Sequence, residues 1–306
     1  MEIRELRSLL TLAETGSIIE TASHLNLSPA AVHRQLKILG DELEVQLYER
    51  RGRQLRLTSA AETLLPMIRD LFVQYQSTLE AAREWKGLER GALRIGTGPT
   101  FATYMLPSLL ESFRERYPKI ELFVDTGHTP YLVENLNRGV LDVLFLVTEA
   151  EPARTLTIDA SWKFEVVLVA SPKLRLPSRC SLQELRDLPF ILYRAGSIFE
   201  NIIDTYFGRH DFQPRVVMRM DNAESIKSMV RSGFGLSMLP VWTVREDLER
   251  DAVRIIRQAE PALTTQIGAM RRPSGYVPQS VGMFLRMARA WRWPGIGRRA
   301  PGSRRR

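Results

Sequence analysis

The chain has 306 residues, a formal net charge of +8 and a hydrophobic content of 44%. This size predicts two or three packed cores, and the absence of any apolar stretch of roughly 20 residues excludes a membrane-spanning protein. The N-terminus lacks the pattern of a secretion signal and Cys180 is the single cysteine, so we expect a cytoplasmic protein without disulfide bonds.

Three short helices are predicted at the N-terminus. The first carries an apolar stripe and can end at Gly16. A second helix can start at Ser17, which has capping-box spacing, and can end at Asn26, a residue that tolerates left-handed backbone angles. Ser28 then caps a third helix, with Pro29 at its first position.

The third helix is the predicted DNA-reading element. One face is apolar, and another is small at its start and basic further along, as a helix in the major groove requires. His33 and Arg34 are the leading candidates for contacts with base edges, and an exposed basic face without function is the alternative. A Gly-centred turn further along predicts a basic β-hairpin wing that lies along phosphates. The predicted DNA-binding residues are Ser28, Pro29, Ala30, His33, Arg34, Lys37, Arg50, Arg51 and Arg53.

A long amphipathic helix is predicted next, with apolar positions from Leu64 to Trp85 at alternating spacings of four and three. Ser59 and Glu62 have the spacing of a capping box at its start. A polar hinge flanked by glycine follows at 86–90. The alternative is an ordinary core helix.

Beyond Gly91, short β-rich runs alternate with helical patterns, which predicts parallel α/β layers. One set of runs lies within 93–147 and a second within 164–231. We therefore expect two similar subdomains with a cleft between them. In open α/β sheets ligands bind beyond the carboxyl ends of the strands, where helix N-termini favour anions.

The positive charge is concentrated at the C-terminus. Residues 286–306 contain eight arginines and no acidic residue, so the residues before them have no net charge. Glycine and proline are frequent after Trp293, and such a composition cannot build a core. We predict a solvated, disordered basic tail, and a second contact with DNA is the alternative.

The sequence contains no constellation typical of an enzyme. The four histidines include no pair four residues apart and have no cysteine partner, so we expect no metal site. The run from Gly96 to Phe101 begins like a dinucleotide fingerprint but lacks its third glycine, and we expect no cofactor. A periplasmic-type transport receptor is the alternative from another class. Residues 91–296 alone would permit it, but the secretion signal is absent.

Two sets of residues resemble a known family. Those in the N-terminal part are 13–17, Ala22, Leu25, Ser28, 31–36, Leu43, 47–50, Leu57 and Thr58. Those in the remainder are 91–96, 106–107, 116–118, 139–143, 167–172 and 233–240. Together they resemble LysR-type transcriptional regulators, whose effector-binding domain is similar to periplasmic binding proteins. Pro29, His33 and Ala61 depart from the common pattern, which affects the target sequence and not the fold.

The resemblance implies an α/β fold with an N-terminal winged helix-turn-helix, a long linker helix and a C-terminal two-subdomain effector domain like that of periplasmic binding proteins. It implies a homodimer or homotetramer that binds double-stranded promoter DNA and a small-molecule effector. The implied domains are a DNA-binding domain at 1–62, a linker helix and hinge at 63–90, an effector-binding domain at 91–296 and a basic disordered tail at 297–306. Subdomain I comprises 91–162 and 266–296, and subdomain II comprises 163–265.

The resemblance also implies which residues line the effector cleft. They are Thr97, Thr100, His128, Thr129, Thr148, Arg194, Ser197 and Asn222, with Asp221 beside the last. Their hydroxyls and neighbouring backbone amides suit a carboxylate or another small anion, although Thr97 and Thr100 can equally be a strand end and a helix cap. Glu200 lies where many relatives have an arginine nearby. If it faces the cleft, we expect an effector with a cationic or hydroxyl group.

Overall fold

The computed structural model describes residues 1–51, 54–85, 91–148, 156–177, 179–273 and 276–293. The chain forms two compact units, one of Met1–Lys86 with Asn137–Gly139 and one of Gly87–Leu136 with Val140–Arg306. The predicted hinge at 86–90 and the predicted tail at 297–306 lie outside the described residues. No helix in the described part of the chain is both long and apolar enough to cross a membrane.

The first unit is a helix-turn-helix followed by a hairpin and a long helix. Its elements are α1 (Ile3–Thr15), α2 (Ile18–Leu25), α3 (Pro29–Leu43), β1 (Tyr48–Arg51), β2 (Gln54–Leu57) and α4 (Ser59–Trp85). Gly16 and Asn26 end α1 and α2 in the left-handed conformation, as predicted. The Ser28 hydroxyl accepts a hydrogen bond from the Ala31 N–H and caps α3.

The start of α4 differs from the prediction. Thr58, and not Ser59, is the capping residue, because its Oγ1 accepts a hydrogen bond from the Ala61 N–H at 3.2 Å. The same hydroxyl donates to the Gln46 carbonyl oxygen at 2.5 Å. One side chain therefore caps the long helix and also joins it to the segment that leads into the hairpin. The predicted capping box from Ser59 to Glu62 is therefore wrong, because the cap lies one residue earlier and position 61 is an alanine, whose side chain cannot complete a box.

The second unit contains an eight-stranded mixed sheet, a separate two-stranded sheet, and helices. Its strands are β3 (Gly91–Thr97), β4 (Ile120–Thr126), β5 (Val143–Val147), β6 (Thr157–Ala170), β7 (Arg179–Cys180), β8 (Pro189–Tyr193), β9 (Arg215–Met220), β10 (Ser237–Pro240), β11 (Arg254–Gln258) and β12 (Leu263–Arg271). Its helices are α5 (Pro99–Tyr104), α6 (Leu106–Arg116), α7 (Thr129–Asn137), α8 (Ile198–Arg209), α9 (Ala223–Arg231), α10 (Arg245–Glu249) and α11 (Gln279–Ala290), with short 3-10 helices at Gln183–Leu185 and Val241–Thr243.

The sheet is only partly parallel, which corrects the expectation of parallel layers. β3 pairs in parallel with β4 and β5, and β8 pairs in parallel with β9 in the separate two-stranded sheet. In contrast, the whole of β12 pairs antiparallel with residues 157–166 of β6. The first half of β6 was not predicted, because its side chains alternate between buried and more exposed and form no continuous apolar run.

The ladder between β6 and β12 passes through both halves of the second unit. β5 pairs with β12 from Ile267 to Met270, whereas β10 and β11 pair with β6 between Val166 and Ala170. The predicted subdomain boundaries at 163 and 266 are directly paired residues in this ladder. Each half of the unit is therefore built around one end of the same two strands.

The close approach of Gly235 to β8 gives a prediction about stability. A Cβ at this position would lie 2.4 Å from the Pro189 carbonyl oxygen, which is fixed because it accepts a hydrogen bond from the Leu236 N–H. We expect Gly235→Ala to lower the free energy of unfolding by about 2 kcal/mol, as measured by urea denaturation. Gly208→Ala is the matched control, because a Cβ there meets nothing within 4 Å and alanine favours helix. Equal stability of the two variants would contradict this account.

Candidate functional site

The predicted DNA-reading residues of α3 share one exposed face. Val32, Leu36 and Leu39 are no more than 1% exposed and pack into the core of the first unit. These contacts fix the rotation of the helix about its axis. The predicted DNA-reading residues at the start of this helix are all exposed, namely Ser28, Pro29, Ala30, His33, Arg34 and Lys37.

Two contacts orient this helix within the first unit. The His33 ring meets the Tyr48 ring of β1 edge to face, with centroids 5.9 Å apart. The Ser8 hydroxyl of α1 donates to Gln35 Oε1 at 2.6 Å. The partnership of His33 with Tyr48 was not predicted, because no local sequence pattern pairs a helix residue with a strand residue fifteen positions later.

The predicted wing is present as an antiparallel hairpin. β1 pairs with β2 in a register that places Arg50 opposite Leu55 and Arg51 opposite Gln54. Arg50 and Arg51 therefore lie within β1, and Arg53 lies outside the described residues. The hairpin joins the body of the unit through the bond between Thr58 and Gln46 described above.

The second unit contains a cavity of about 1190 Å³. Six of the predicted effector residues line it, and they come from the loops and helix starts that follow β3, β4, β8 and β9. These residues are Thr100, His128, Thr129, Arg194, Ser197 and Asn222, and Asp221 lines it as well. The structure thus brings together residues that are up to 122 positions apart in sequence.

Thr97 and Thr148 do not line the cavity, which corrects their predicted position. Thr97 is fully buried, and its hydroxyl donates to the Phe145 carbonyl oxygen at 2.8 Å. That bond is part of the packing of β3 against β5. Thr148 follows the end of β5, and its backbone N–H donates to the Gln266 carbonyl oxygen at 2.9 Å.

Glu200 also lies outside the cavity lining, so the condition under which we expected an effector with a cationic or hydroxyl group is not met. Its Oε2 accepts a hydrogen bond from the Gly196 N–H at 3.0 Å, and its Oε1 lies 3.5 Å from Arg219 Nη1. A carboxylate in the first turn of a helix is held there by exposed backbone amides, as in a capping box. The local partners of Glu200 therefore satisfy its charge before any ligand arrives.

The polar side chains that line the cavity differ in how many hydrogen bonds or ion pairs they already make within the protein. Ser197 caps α8 through the Phe199 N–H, and Asn222 caps α9 through the Ser225 N–H. Asp221 accepts a hydrogen bond from Asn222. In contrast, the Arg194 guanidinium is exposed and has no hydrogen bond or ion pair with any residue that the structure describes. Arg209 lines the cavity as well and also has no partner among the described residues, so these two arginines are the cations available to an anionic ligand.

Aromatic rings form a large part of the cavity wall. Phe101 stacks on Phe145 with centroids 5.0 Å apart, and Phe164 lies 4.0 Å from Trp242. Tyr193 lies against Phe199 at 5.4 Å, and all of these residues line the cavity. Sequence reasoning missed them because isolated aromatic residues in strands and helices are typical of a core. Their shared exposure to one cavity depends on the tertiary fold.

A buried ion pair lies behind this wall. Lys227 of α9 is 5% exposed, and its Nζ lies 2.9 Å from Asp247 Oδ2. The same ammonium donates to the Thr243 carbonyl oxygen at 2.8 Å and to the Tyr104 hydroxyl at 3.0 Å. Burial raises the pKa of Asp247, but hydrogen bonds from Lys227 and Arg231 outweigh this and hold the pKa below its ordinary value.

In the described parts of the chain, no group of three or more histidine, cysteine, aspartate or glutamate side chains is suitably placed to hold a metal ion. The candidate functional residues form two separate sites. One is the exposed face of α3 with its hairpin, and the other is a cavity with an available arginine and an aromatic wall.

Comparison with known proteins gives matches over nearly the whole chain. The family model "Bacterial regulatory helix-turn-helix protein, lysR family" matches residues 3–62, and "LysR substrate binding domain" matches residues 86–293. The chain is 30% identical to the RuBisCO operon transcriptional regulator of Allochromatium vinosum over 253 residues, which cover 81% of this chain and 82% of that protein.

Two solved structures have the same overall fold. A full-length OxyR variant from Pseudomonas aeruginosa has a TM-score of 0.75 at 21% identity and covers 98% of this chain and 99% of that chain. Full-length CbnR complexed with its target DNA has a TM-score of 0.63 at 22% identity, with coverage of 95% and 99%.

The buried ion pair gives a prediction about pH. A carboxylate with a lowered pKa contributes stability that is complete above its unfolded pKa of about 4 and is lost as the pH falls through the folded value. We expect Asp247→Asn to be less stable than the natural protein by about 3 kcal/mol at pH 7, because Lys227 loses its buried partner.

The test follows the stability difference between the two proteins in urea as the pH falls from 7 to 3. The difference should stay constant down to about pH 5 and then shrink. Glu115→Gln, a change at an exposed position on α6, is the control, and its difference in stability from the natural protein should not change with pH. A difference that is the same at pH 3 and pH 7 would rule out the ion pair as its cause.

Proposed function

Because the chain belongs to the LysR family of transcriptional regulators, we propose that α3 and the hairpin bind promoter DNA and that the cavity binds the controlling effector. The chain is a DNA-binding regulator with an effector-binding domain, not an enzyme. The single observation that carries the effector assignment is Arg194, which has no partner among the described residues and lies beside an aromatic wall.

The proposed DNA contacts follow from the exposed face of α3. Ser28, Pro29 and Ala30 are small and allow the helix start to approach the bases. His33 and Arg34 supply hydrogen-bond donors for base edges, and Arg34 has the geometry that pairs with guanine. Lys37 and the hairpin arginines Arg50, Arg51 and Arg53 are assigned to phosphates, which position the protein without reading sequence.

The exposed face of α4 supports a dimer. Met67, Leu71 and Tyr75 are spaced four residues apart and are 60%, 47% and 38% exposed. Such a stripe on one helix face is suited to a matching helix of a second copy. We assign α4 as the dimerisation helix, which would present two copies of α3 to half-sites about one helical turn apart. A homotetramer would be a dimer of such dimers, and its place of action is the bacterial cytoplasm.

The chemistry of the cavity favours an acid with an apolar body. Arg194 and Arg209 line it against the single acid Asp221, so its charge favours an anion. The wall of phenylalanine, tyrosine and tryptophan favours an apolar or aromatic body. We propose a carboxylate or another small anion that carries such a body, with Arg194 holding the charged group.

A thiol-based signal is not supported. Cys180 is buried in β7, and burial raises the pKa of its thiol, with further contributions from Glu184 and Glu260. A thiol with a raised pKa carries little of the reactive thiolate. A bound small molecule is therefore the better candidate for the signal.

The assignment of α3 is tested with the DNA upstream of the protein's own coding region and a scrambled duplex at one fixed salt concentration. We expect His33→Ala and Arg34→Ala to weaken binding to the first DNA about tenfold or more and to change binding to the second much less. Lys37→Ala should weaken both alike because it contacts phosphate. Arg250→Ala, on the exposed surface of the second unit, is the control. An equal loss on both duplexes for His33→Ala and Arg34→Ala would contradict base reading.

The assignment of Arg194 is tested by calorimetric titration with aromatic acids such as benzoate and cinnamate and with their neutral amides. The natural protein should bind the acids more tightly, because the guanidinium forms charge-assisted hydrogen bonds only with the carboxylate. Arg194→Gln should weaken acid binding about tenfold or more and leave amide binding unchanged. Arg245→Gln is the control, since Arg245 is paired with Glu249 outside the cavity lining. Unchanged acid binding in Arg194→Gln would remove Arg194 from the site.

A further inference from the structure

Two buried hydrogen-bond donors in the cavity wall have no acceptor among the described residues. They are the Tyr193 hydroxyl and the Trp242 indole N–H. Tyr193 ends β8 and is 1% exposed, and Trp242 is 5% exposed within the 3-10 helix Val241–Thr243. By contrast, Tyr206 also lines the cavity, and its hydroxyl donates to the Pro261 carbonyl oxygen at 2.9 Å.

Unpaired buried donors are costly to a folded protein. Most buried polar groups have a partner, and each exception calls for a specific explanation. Burial also raises the pKa of Tyr193 far above its ordinary value, so the hydroxyl keeps its proton and remains a donor. Nothing in the described protein satisfies these donors, and because the two donor atoms have almost no accessible surface, an acceptor in the cavity reaches them when neighbouring side chains of the wall move aside.

The surroundings of the two donors determine which acceptor fits. Tyr193 packs on Phe199 at 5.4 Å, and Trp242 packs between Phe164 at 4.0 Å and Phe101 at 6.5 Å. A charged group placed against these rings would be buried without a counter-ion, which is unfavourable. An uncharged oxygen such as a carbonyl, ether or hydroxyl oxygen on an apolar skeleton meets both requirements.

We propose that Tyr193 and Trp242 are effector-binding residues, which donate hydrogen bonds to uncharged oxygen acceptors on the apolar body of the effector. The effector is then an acid with at least one further oxygen at a distance from its charged group. This inference rests on the proposed function of the cavity and adds a second recognised group to the anion held by Arg194. It also separates this chain's effector from simple aliphatic acids, which carry no such acceptor.

The first test needs no ligand and measures the midpoint of thermal unfolding. We expect Tyr193→Phe to unfold at the same temperature as the natural protein or slightly higher, because the hydroxyl has no partner to lose. Tyr206→Phe is the matched variant and should unfold several degrees lower, because it loses the bond to Pro261. A Tyr193→Phe protein that is destabilised as much as Tyr206→Phe would overturn the proposal, since its hydroxyl would then serve the fold.

The second test uses two acids of similar shape, 4-acetylbenzoate and 4-isopropylbenzoate, titrated calorimetrically against the full chain. Only the first has a carbonyl oxygen opposite its carboxylate. The natural protein should bind it at least fivefold more tightly, and Tyr193→Phe should remove most of that preference. Arg194→Gln should weaken both acids and keep the preference, so failure of the anion site and failure of the donors are distinguishable. Equal binding of the two acids by the natural protein would overturn the proposal.

Discussion

The antiparallel ladder between β6 and β12 is the constraint on which the second unit depends. Each strand continues from one half of the unit into the other, and their backbone hydrogen bonds hold the pairing from Thr157 to Val166 on β6. A slip by one residue would turn every side chain to the opposite face, so the register is fixed wherever one face is buried. The cavity takes its lining from both ends of this ladder, from Phe145 beside one end and Phe164 within β6.

A second connection between the halves is the ammonium of Lys227. It bonds to Tyr104 of α5 and to the carbonyl of Thr243, which follows Trp242 in the 3-10 helix. On the cavity side, Phe101 of the same α5 meets Trp242. The two short helices are thus joined twice, once by aromatic rings that line the cavity and once by a buried charge. Breaking a buried ion pair costs far more than forming it gains, so this network favours a defined geometry over net stability.

The helix ends of the first unit could be predicted from sequence because they depend on neighbouring residues. The sheet of the second unit could not, because its strands pair with residues far away in the chain. Gly16, Asn26 and Ser28 are confirmed because a cap is decided by residues within one helical turn. Thr97 illustrates the limit. A threonine at the end of a strand can face a ligand or the interior, and only the pairing of β3 with β5 puts the Phe145 carbonyl beside it. The antiparallel partners of β6 come from the last third of the chain, and no pattern within β6 identifies them.

For the cavity too, some lining residues could be predicted from sequence, whereas their contacts depend on the fold. The resemblance implied Arg194 as a lining residue, whereas the partners of Glu200 are visible only in the fold. That carboxylate takes the Gly196 N–H and pairs with Arg219, so a negative charge already occupies the positive end of α8. An incoming anion therefore gains less from the helix end than the sequence suggested, and its attraction to the cavity depends mainly on the guanidinium groups of Arg194 and Arg209, which have no partner in the described chain.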